Sequence, residues 1–152
     1  MTAILRSPLH QLLSRNLMLL TVRGRRTGTW HTVPVGYVRQ NGALDVLVAN
    51  RQVKAWWRNL EGGAPVQIVL RGRTIFTRAE ALTFERDARS FTFALRNYVA
   101  KNRQGARAVG IRDVEDVAGL RSAARSVAIV KVYPPITRRP AGDASTSDRA
   151  RT

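Results

Sequence analysis

The chain has 152 residues, 44% of them hydrophobic, which is enough for one globular domain with its own core. It has no cysteine, which excludes disulfides, thiolate metal sites and thiol catalysis, and its two histidines, His10 and His31, lie in different segments, so no zinc site is predicted. The formal net charge is +16, and residues 1–78 hold twelve basic side chains against two acidic ones, so an anionic partner is expected in that half.

The N-terminal segment has no signal for export or membrane insertion. No apolar run approaches the roughly 18 residues that span a bilayer, and Ile4 to Leu20 is interrupted by polar and charged side chains. We therefore expect a cytoplasmic protein. Residues 3–15 are predicted to form a short helix with Pro8 at its first position. This helix would pack on the folded domain or rest on anionic lipid at the inner face of the cell membrane.

The next part of the chain has the pattern of short strands separated by turns. Residues 17–23 and 29–39 flank a glycine-bracketed turn, and Gln40-Asn41-Gly42 is a strong signal for a second hairpin. The elements predicted after this hairpin are a strand over residues 43–49, a short helix over 54–60, and two further strands, Val66 to Leu70 and Thr74 to Leu82.

The apolar period changes in residues 85–102, where large apolar side chains recur three and four positions apart and predict a helix. Residues 103–124 are polar, charged and hard to place, and the sequence assigns no role to residues 103–126. We expect Asp113, Glu115 and Asp116 on a solvated helix or loop and predict no metal site there. Residues 127–133 are apolar and β-branched, as in a final strand.

The fold class predicted from these elements is α+β, mainly β. About six short strands, most of them joined by hairpins, favour an antiparallel sheet that closes into a small barrel, with one long helix inserted before the last strand. We expect residues 1–133 to form a single domain of this kind. Residues 134–152 have almost no large apolar side chain and are predicted to be a disordered tail.

The first turn lies in the sequence VRGRRTGTWHTVPV and contains two adjacent arginines, Arg25 and Arg26, between Gly24 and Gly28. Guanidinium groups bind phosphate or carboxylate groups in a bidentate manner, and glycines let backbone amides approach such a group closely. Thr27 adds a hydroxyl donor. The turn is therefore either an anion-binding site or a solvated hairpin tip.

The strand after this turn has an unusual composition. Trp30 and His31 place an aromatic and a titratable side chain beside the arginines. Pro34 cannot donate to a strand ladder, so it predicts an edge strand or a bulge. A bulge here would leave backbone amides or carbonyls free for a ligand.

Two further groups of residues are candidates for a site. Trp56 and Trp57 are adjacent, so one can face the core and the other a pocket, or both can pack as core and rim. Lys54 and Arg58 are four apart with no acidic neighbour, which indicates an external anion or plain solvation. Tyr98 lies on the apolar face of the predicted long helix, where it is either a packed residue or a proton donor to a substrate.

Taken together, LLTVRGRRTGTWHTVPVGYV, a further strand and then AWWRNL resemble the deazaflavin-dependent nitroreductase and quinone reductase family of actinobacteria. Members of this family are split β-barrel proteins related to FMN-binding pyridoxamine-phosphate-oxidase-like folds. The resemblance covers roughly residues 5–82 and rests on Gly24-Arg25-Arg26-Thr27-Gly28, on Pro34 and on Trp56-Trp57-Arg58-Asn59-Leu60. The Ala49 to Ala55 loop is shorter than in typical members and lacks their glycines, and His31 stands where they usually carry arginine.

The resemblance implies an oxidoreductase that uses the reduced deazaflavin coenzyme F-420. Hydride would pass to a quinone, a nitroaromatic compound or an activated alkene, and the coenzyme would supply that chemistry. Split barrels of this kind are often homodimers. The residues that the resemblance assigns to the coenzyme are Arg25, Arg26 and Thr27 at its charged tail, His31 nearby, Val33, Pro34 and Val35 along the ring, Ala49 and Asn50 in the loop around it, and Lys54 and Trp56 just beyond.

Two other functions are compatible with the sequence. The same pocket in a non-catalytic split barrel would hold FMN, haem or a lipid. A polyanion or nucleic-acid binder would account for the charge of +16. The aromatic residues are few and are not interleaved as a base-stacking platform, so no specific nucleic-acid binding is expected.

Overall fold

The computed structural model describes residues 16–133, so the predicted helix over residues 3–15 and the predicted tail over 134–152 lie outside the described part. Within it, seven strands form one sheet, and four helical segments connect them. The strands are β1 (Leu17–Arg23), β2 (Trp30–Gly36), β3 (Val38–Gln40), β4 (Ala43–Val48), β5 (Ala64–Leu70), β6 (Arg73–Leu82) and β7 (Ala128–Val132). The helices are a 3-10 helix (Trp56–Leu60), α1 (Ala88–Lys101), α2 (Arg103–Ala108) and α3 (Val117–Ser126).

The sheet is antiparallel throughout and curls into a half-barrel with the strand order β2-β1-β5-β6-β7-β4-β3. Its two edge strands, β2 and β3, follow each other directly in the chain. The single strand predicted over residues 29–39 is therefore wrong, and the count is seven rather than about six. The break falls at Tyr37, whose side chain is buried and whose amide donates to the Asn16 carbonyl at 2.9 Å.

The concave side of the sheet contains the main core. Alternate residues of β1 point into it, including Met18, Leu20 and Val22, which are fully buried. Val66 and Ile68 of β5 pack against them in the same period of two. This alternation is the pattern that predicted half-buried strands, because side chains of a strand point to opposite faces in turn.

A second core lies between the three α-helices and the neighbouring part of the sheet. Phe91 and Leu95 of α1 are buried against Ile129 of β7, in agreement with the helix predicted over residues 85–102. Ile111 and Ala123 complete this core, and the segment that the sequence left unplaced contains the two helices α2 and α3. None of the helices in residues 16–133 has the length and apolar character that a membrane-crossing segment needs.

The acidic residues of this segment do not share one environment. Asp113 and Glu115 are exposed, as predicted, whereas Asp116 is only 9% exposed and forms the N-cap of α3. Its carboxylate accepts from the amides of Gly119 at 3.1 Å and Arg112 at 3.0 Å. Helix N-termini leave backbone donors without partners, and the Asp116 carboxylate satisfies one of them, the Gly119 amide, while its bond to the Arg112 amide holds the preceding loop.

Candidate functional site

The turn between β1 and β2 is closed by its own backbone and by glycine. The Gly24 amide donates to the Thr29 carbonyl at 2.8 Å, and the Gly28 amide donates to the Gly24 carbonyl at 2.9 Å. Gly28 has a φ of +69°, a conformation that side chains disfavour. A β-carbon on Gly24 would lie 2.8 Å from the Thr27 hydroxyl oxygen, so this position has no room for a larger residue.

Arg25 attaches the turn to the 3-10 helix. Its amide donates to Asn59 Oδ1 at 3.0 Å, and its Nε donates to the Asn59 carbonyl at 3.2 Å. Its Nη2 donates to the Glu61 carbonyl. These carbonyls belong to the C-terminal end of the 3-10 helix, where backbone acceptors lack helical partners. The Arg25 guanidinium is therefore occupied by protein groups. Arg26, by contrast, is exposed and forms no hydrogen bond with residues 16–133.

The two tryptophans of the 3-10 helix have different environments. Trp57 is 5% exposed, belongs to the main core, and donates from Nε1 to the Arg51 carbonyl at 2.8 Å. Trp56 is half-buried and packs at the border of that core, where its remaining surface faces a cavity. Of the two arrangements that the sequence allowed, one tryptophan in the core and one at a pocket is the correct one.

Strand β2 is an edge of the sheet. It pairs with β1 in an unbroken register from Trp30 to Gly36, so there is no bulge at Pro34, and the edge position is what accommodates the proline. Every second residue of an edge strand directs its backbone groups away from its only neighbour. The side of β2 away from β1 therefore offers free backbone groups to a ligand.

Two adjoining cavities lie along these elements. The first, which we call the arginine cavity, has a volume of about 720 Å³ and is bordered by the turn (Gly24 to Thr27), His31, Val33, and residues 55, 56, 58, 59 and 61 around the 3-10 helix. The second, which we call the β2 cavity, has about 400 Å³ and is bordered by residues 33–36 of β2, Leu47 and Val48 of β4, Lys54 and Trp56. Val33 and Trp56 border both cavities, so the two form one continuous depression.

Positive charge predominates around this depression. Arg25, Arg26 and Arg58 border the arginine cavity, and Lys54 borders the β2 cavity. Among the described residues, the one carboxylate on the lining is Glu61, whose Oε2 lies 3.1 Å from the Arg86 guanidinium and is thereby compensated. Arg58 also lies over the Trp57 ring, 5.5 Å from its centroid. The depression is thus suited to an anion with a flat apolar part.

Nine of the predicted site residues border this depression and three do not. Those that do are Arg25, Arg26, Thr27, His31, Val33, Pro34, Val35, Lys54 and Trp56. Ala49 and Asn50 lie in the turn between β4 and the 3-10 helix. Asn50 has a φ of +50° there, and its carbonyl accepts a hydrogen bond from the Val53 amide at 3.0 Å. They border neither cavity.

Tyr98 is also separate from the depression. It is 5% exposed, and its hydroxyl oxygen accepts from Asn102 Nδ2 at 3.1 Å. Burial raises the pKa of this phenol above its usual value, which makes proton loss harder. The packed role is the one that this geometry supports, and we do not include Tyr98 in the candidate site.

The 3-10 helix is attached to Arg51, whose carbonyl accepts a hydrogen bond from Trp57 of that helix. Arg51 is not among the predicted site residues. Its guanidinium forms two bonds with the Glu85 carboxylate, at 2.8 and 2.5 Å, and one with the Arg125 carbonyl at 3.2 Å. Its amide donates to the Ser126 carbonyl at 2.9 Å. The partners lie 34 and 74 residues away in the chain, so no local pattern indicates them. Arg58 and Asn59, by contrast, were part of a recognised motif.

Residues 16–133 contain no group of three or more His, Asp or Glu side chains suited to hold a metal ion. The groups that line the depression in this part of the chain are cations, backbone groups at a strand edge and an aromatic side chain, which suit the binding of an anionic, partly flat molecule. The β2 cavity has one titratable lining residue in this part of the chain, Lys54.

The fold of the chain matches several solved structures, and no curated protein sequence matches it significantly. An F420-H2 dependent reductase (FDR-A) superposes with a TM-score of 0.53 at 18% identity, over 79% of this chain and 96% of that one. A structure described as a domain-swapped dimer has a TM-score of 0.53 at 16% identity, over 86% and 98%. The haem storage protein HutZ from Vibrio cholerae has a TM-score of 0.51 at 14% identity, over 85% and 88%. These likenesses identify the split-barrel type of fold.

The family is identified by sequence. The model of the family described as "F420H(2)-dependent quinone reductase" matches residues 7–112, which is more than half of the chain. The matched range contains the arginine-rich turn, β2 and the 3-10 helix, so it includes every residue that borders the two cavities. The chain belongs to the F420H(2)-dependent quinone reductase family.

Proposed function

We propose that this protein is an oxidoreductase that binds reduced coenzyme F-420 and delivers its hydride to a quinone, a nitroaromatic compound or an activated alkene. Family membership supports the coenzyme. The observation that carries the proposal for this chain is the continuity of the two cavities through Val33 and Trp56, with cations at one end and a flat apolar wall at the other.

The residues present fit the coenzyme. A deazaflavin coenzyme has a flat ring system and a negatively charged tail. Arg26 and Arg58 are exposed, border the arginine cavity, and form no ion pair with a carboxylate in residues 16–133. Pro34 and its neighbours in β2 form a flat wall opposite Trp56, with free backbone groups at the strand edge. The anionic tail of the coenzyme would pair with the arginines of the arginine cavity, and its ring would lie against the residues of the β2 cavity.

The proposed roles follow from this division. Arg26, Thr27, His31 and Arg58 would hold the charged tail. Arg25 would act indirectly, by keeping the turn fixed to the 3-10 helix. Its position beside the cavity also gives the tail a further positive charge.

The ring would lie along the β2 cavity. Val33, Pro34 and Val35 would contact it through their backbone, Trp56 would cover its border, and Lys54 would compensate negative charge beside it. When bound, the coenzyme supplies the hydride, and the chain's own residues bind it, orient it and exclude water. Because the coenzyme supplies the hydride, this reaction requires no pair of catalytic acid and base side chains in the protein.

Titration of the purified protein with coenzyme F-420, followed by fluorescence, tests the binding step. We expect saturable binding that weakens about fivefold or more in Arg26→Gln and Arg58→Gln, since each removes one charge-assisted contact. Arg71→Gln is the matched control, because Arg71 is an equally exposed arginine in the turn between β5 and β6 and borders neither cavity. Equal weakening in all three variants would mean that only the net charge matters.

Anaerobic mixing of the protein with reduced coenzyme F-420 and a menaquinone analogue tests the reaction. We expect coenzyme oxidation that depends on the protein, and the same assay with a nitroaromatic compound ranks the acceptors. If the wild-type protein does not bind the coenzyme, or is purified with the absorption bands of FMN or haem, the proposal is wrong and a differently loaded split barrel replaces it.

The assembly and location of the protein are part of the same proposal. A structural relative is described as a domain-swapped dimer, which supports a homodimer as the form to test by sedimentation equilibrium. Peripheral contact with an anionic membrane would depend on residues 1–15 and on the positive charge of the chain. Co-sedimentation with anionic vesicles, with and without residues 1–15, measures it.

A further inference from the structure

A separate cavity of about 850 Å³ lies between α1 and α3, and we call it the helical groove. It shares no lining residue with the arginine cavity or the β2 cavity. One of its two banks is α3, which begins at Val117 and so lies beyond the residues matched by the family model.

The floor of the helical groove is apolar. Phe91 is fully buried, and Leu120 and Ala124 pack against the same helical core. Phe84 and Val117 also border the groove but remain 45% and 54% exposed. The Phe84 ring meets the Phe91 ring edge-on at 6.4 Å, which holds it at the edge of the groove. Contiguous apolar surface of this kind marks binding sites more often than plain surface.

The rim of the helical groove is basic. Arg96 lies on α1, and Arg121 and Arg125 lie one turn apart on α3. None of the three forms an ion pair within residues 16–133. The lining contains one carboxylate from the part of the chain that the structure describes, Glu85, which is bound to the Arg51 guanidinium at 2.5 and 2.8 Å and is thereby compensated. Within the described residues, three guanidinium groups thus border an apolar floor and have no carboxylate partner.

The charge of the groove argues against an occupant from the same chain. Residues 1–15 contain Arg6 and Arg15 and no carboxylate, and residues 134–152 contain four arginines and two aspartates. A second copy carries a net charge of +16. Each of these would bring positive charge to a positive rim. The complementary partner is an anion with an apolar body.

We propose that the helical groove binds a single-chain fatty carboxylate. The carboxylate would lie between Arg96 and the pair Arg121 and Arg125, where guanidinium groups can bind it in a bidentate manner. The hydrocarbon chain would cover Phe84, Leu120 and Val117. A volume of 850 Å³ is within the range of small-molecule sites, about 300–1,000 Å³, and is too small for a folded partner.

Isothermal titration of the full chain with dodecanoate, below its micelle concentration, in about 0.15 M salt and without coenzyme, tests this proposal. We expect one saturable site with a micromolar dissociation constant, and at least tenfold weaker binding of dodecanol, which has the same chain and no charge. Arg121→Gln should weaken dodecanoate binding about fivefold or more. Val117→Glu should do the same, because it places a carboxylate at the exposed border of the groove.

Arg107→Gln is the matched control, because Arg107 is an exposed arginine on α2 that does not border the groove. Its affinity for dodecanoate should equal that of the wild type. Circular dichroism of each variant separates lost binding from lost folding. The proposal is wrong if dodecanoate does not bind, if dodecanol binds equally well, or if Arg107→Gln weakens binding as much as Arg121→Gln. Binding of an acidic amphipathic peptide but not of dodecanoate would instead make the groove a protein-docking site.

Discussion

Arg25 and Arg26 are identical neighbours in the sequence and have different tasks in the structure. The guanidinium of Arg25 donates to two carbonyls at the end of the 3-10 helix, and that of Arg26, at the border of the arginine cavity, has no hydrogen-bond partner in residues 16–133. The first is a structural contact and the second is available to an anion. The local sequence does not distinguish the two arginines, because the carbonyls that Arg25 binds, those of Asn59 and Glu61, lie 34 and 36 residues away in the chain.

Substitution of each arginine by glutamine separates the two tasks. We expect Arg25→Gln to lower the free energy of unfolding by about 1 kcal/mol, since at least one hydrogen bond to a backbone carbonyl is lost, and to weaken coenzyme binding as well. Arg26→Gln should weaken binding without lowering stability. Urea unfolding together with fluorescence titration measures both, and equal stability of the two variants would contradict the assignment.

Asp45 is a buried carboxylate without a hydrogen-bond partner in residues 16–133. It is completely buried on β4, opposite Lys131 in the register. Burial raises the pKa of this carboxyl above its ordinary value, and the charges of Lys131 and Lys101 reduce the rise without cancelling it. The folded state therefore binds this proton more tightly than the unfolded state does.

The raised pKa of Asp45 predicts that the free energy of unfolding depends on pH. A raised pKa in the folded state means that stability falls as the pH rises from the unfolded value near 3.8 through the folded value. We expect Asp45→Asn to raise the free energy of unfolding at pH 7 by about 1 kcal/mol, since the cost of a buried charge disappears. The gain should vanish near pH 3.5. Urea unfolding at the two pH values measures it, and a variant that is less stable at pH 7 would show that the lysines outweigh burial.

Among the elements, α2 and α3 are the two helices that local patterns did not predict, and α3 is the longer one. Its apolar positions are mostly small alanine and valine residues, and its start depends on the Asp116 cap. The cap also holds the preceding loop, because the Arg112 amide and guanidinium both donate to the same carboxylate. These bonds lower the pKa of Asp116 to about 2.

Removal of this cap should destabilise α3. We expect Asp116→Ala to lower the melting temperature by roughly 4 °C, as is typical of a lost N-cap, and Asp116→Asn to lose less, because asparagine also caps helices. The lowered pKa means that this stabilisation is complete above the unfolded value of about 3.8 and is lost as the pH falls through about 2. Thermal unfolding at pH 7 and pH 2 checks both statements, and equal loss in the two variants would contradict capping.

On the scale of the whole molecule, Arg51 connects the helical core to the candidate site. Its guanidinium binds Glu85 and the carbonyl at the end of α3, and its own carbonyl accepts from the Trp57 indole. Arg51 is only 12% exposed, so these contacts are shielded from solvent on its side. The position of the 3-10 helix, and with it Trp56, thus depends on a helix that follows β6 in the chain.

Replacement of Arg51 tests this connection. We expect Arg51→Met to lower the free energy of unfolding by about 2 kcal/mol, since several charge-assisted bonds are lost. The amides of Arg58 and Glu61 in the 3-10 helix should then exchange hydrogen faster. Arg103→Met, at an exposed position on α2, is the control. Hydrogen exchange unchanged from wild type in Arg51→Met would show that the helix is held by its own packing.

The sequence by itself determined the features that depend on neighbouring residues. The alternation in β1 and β5 predicts which side chains enter the core, the glycines around Arg25 and Arg26 predict the tight turn, and Pro34 predicts an edge strand or a bulge, of which the edge is correct. Each of these follows from backbone sterics or from the period of a strand, which act over a few residues. Family resemblance added the 3-10 helix motif, and most predicted site residues do border one depression.

Only the tertiary structure decided which groups are left free to bind a ligand. Arg25 is occupied because Asn59 and Glu61 lie beside it, Tyr98 is occupied by Asn102, and Ala49 and Asn50 lie outside the cavities because the turn that contains them is drawn toward α3. Most of these outcomes depend on hydrogen bonds between residues more than 30 positions apart. The sequence contains the donors and acceptors, but their pairing is set by the curl of the sheet, which brings its distant segments together.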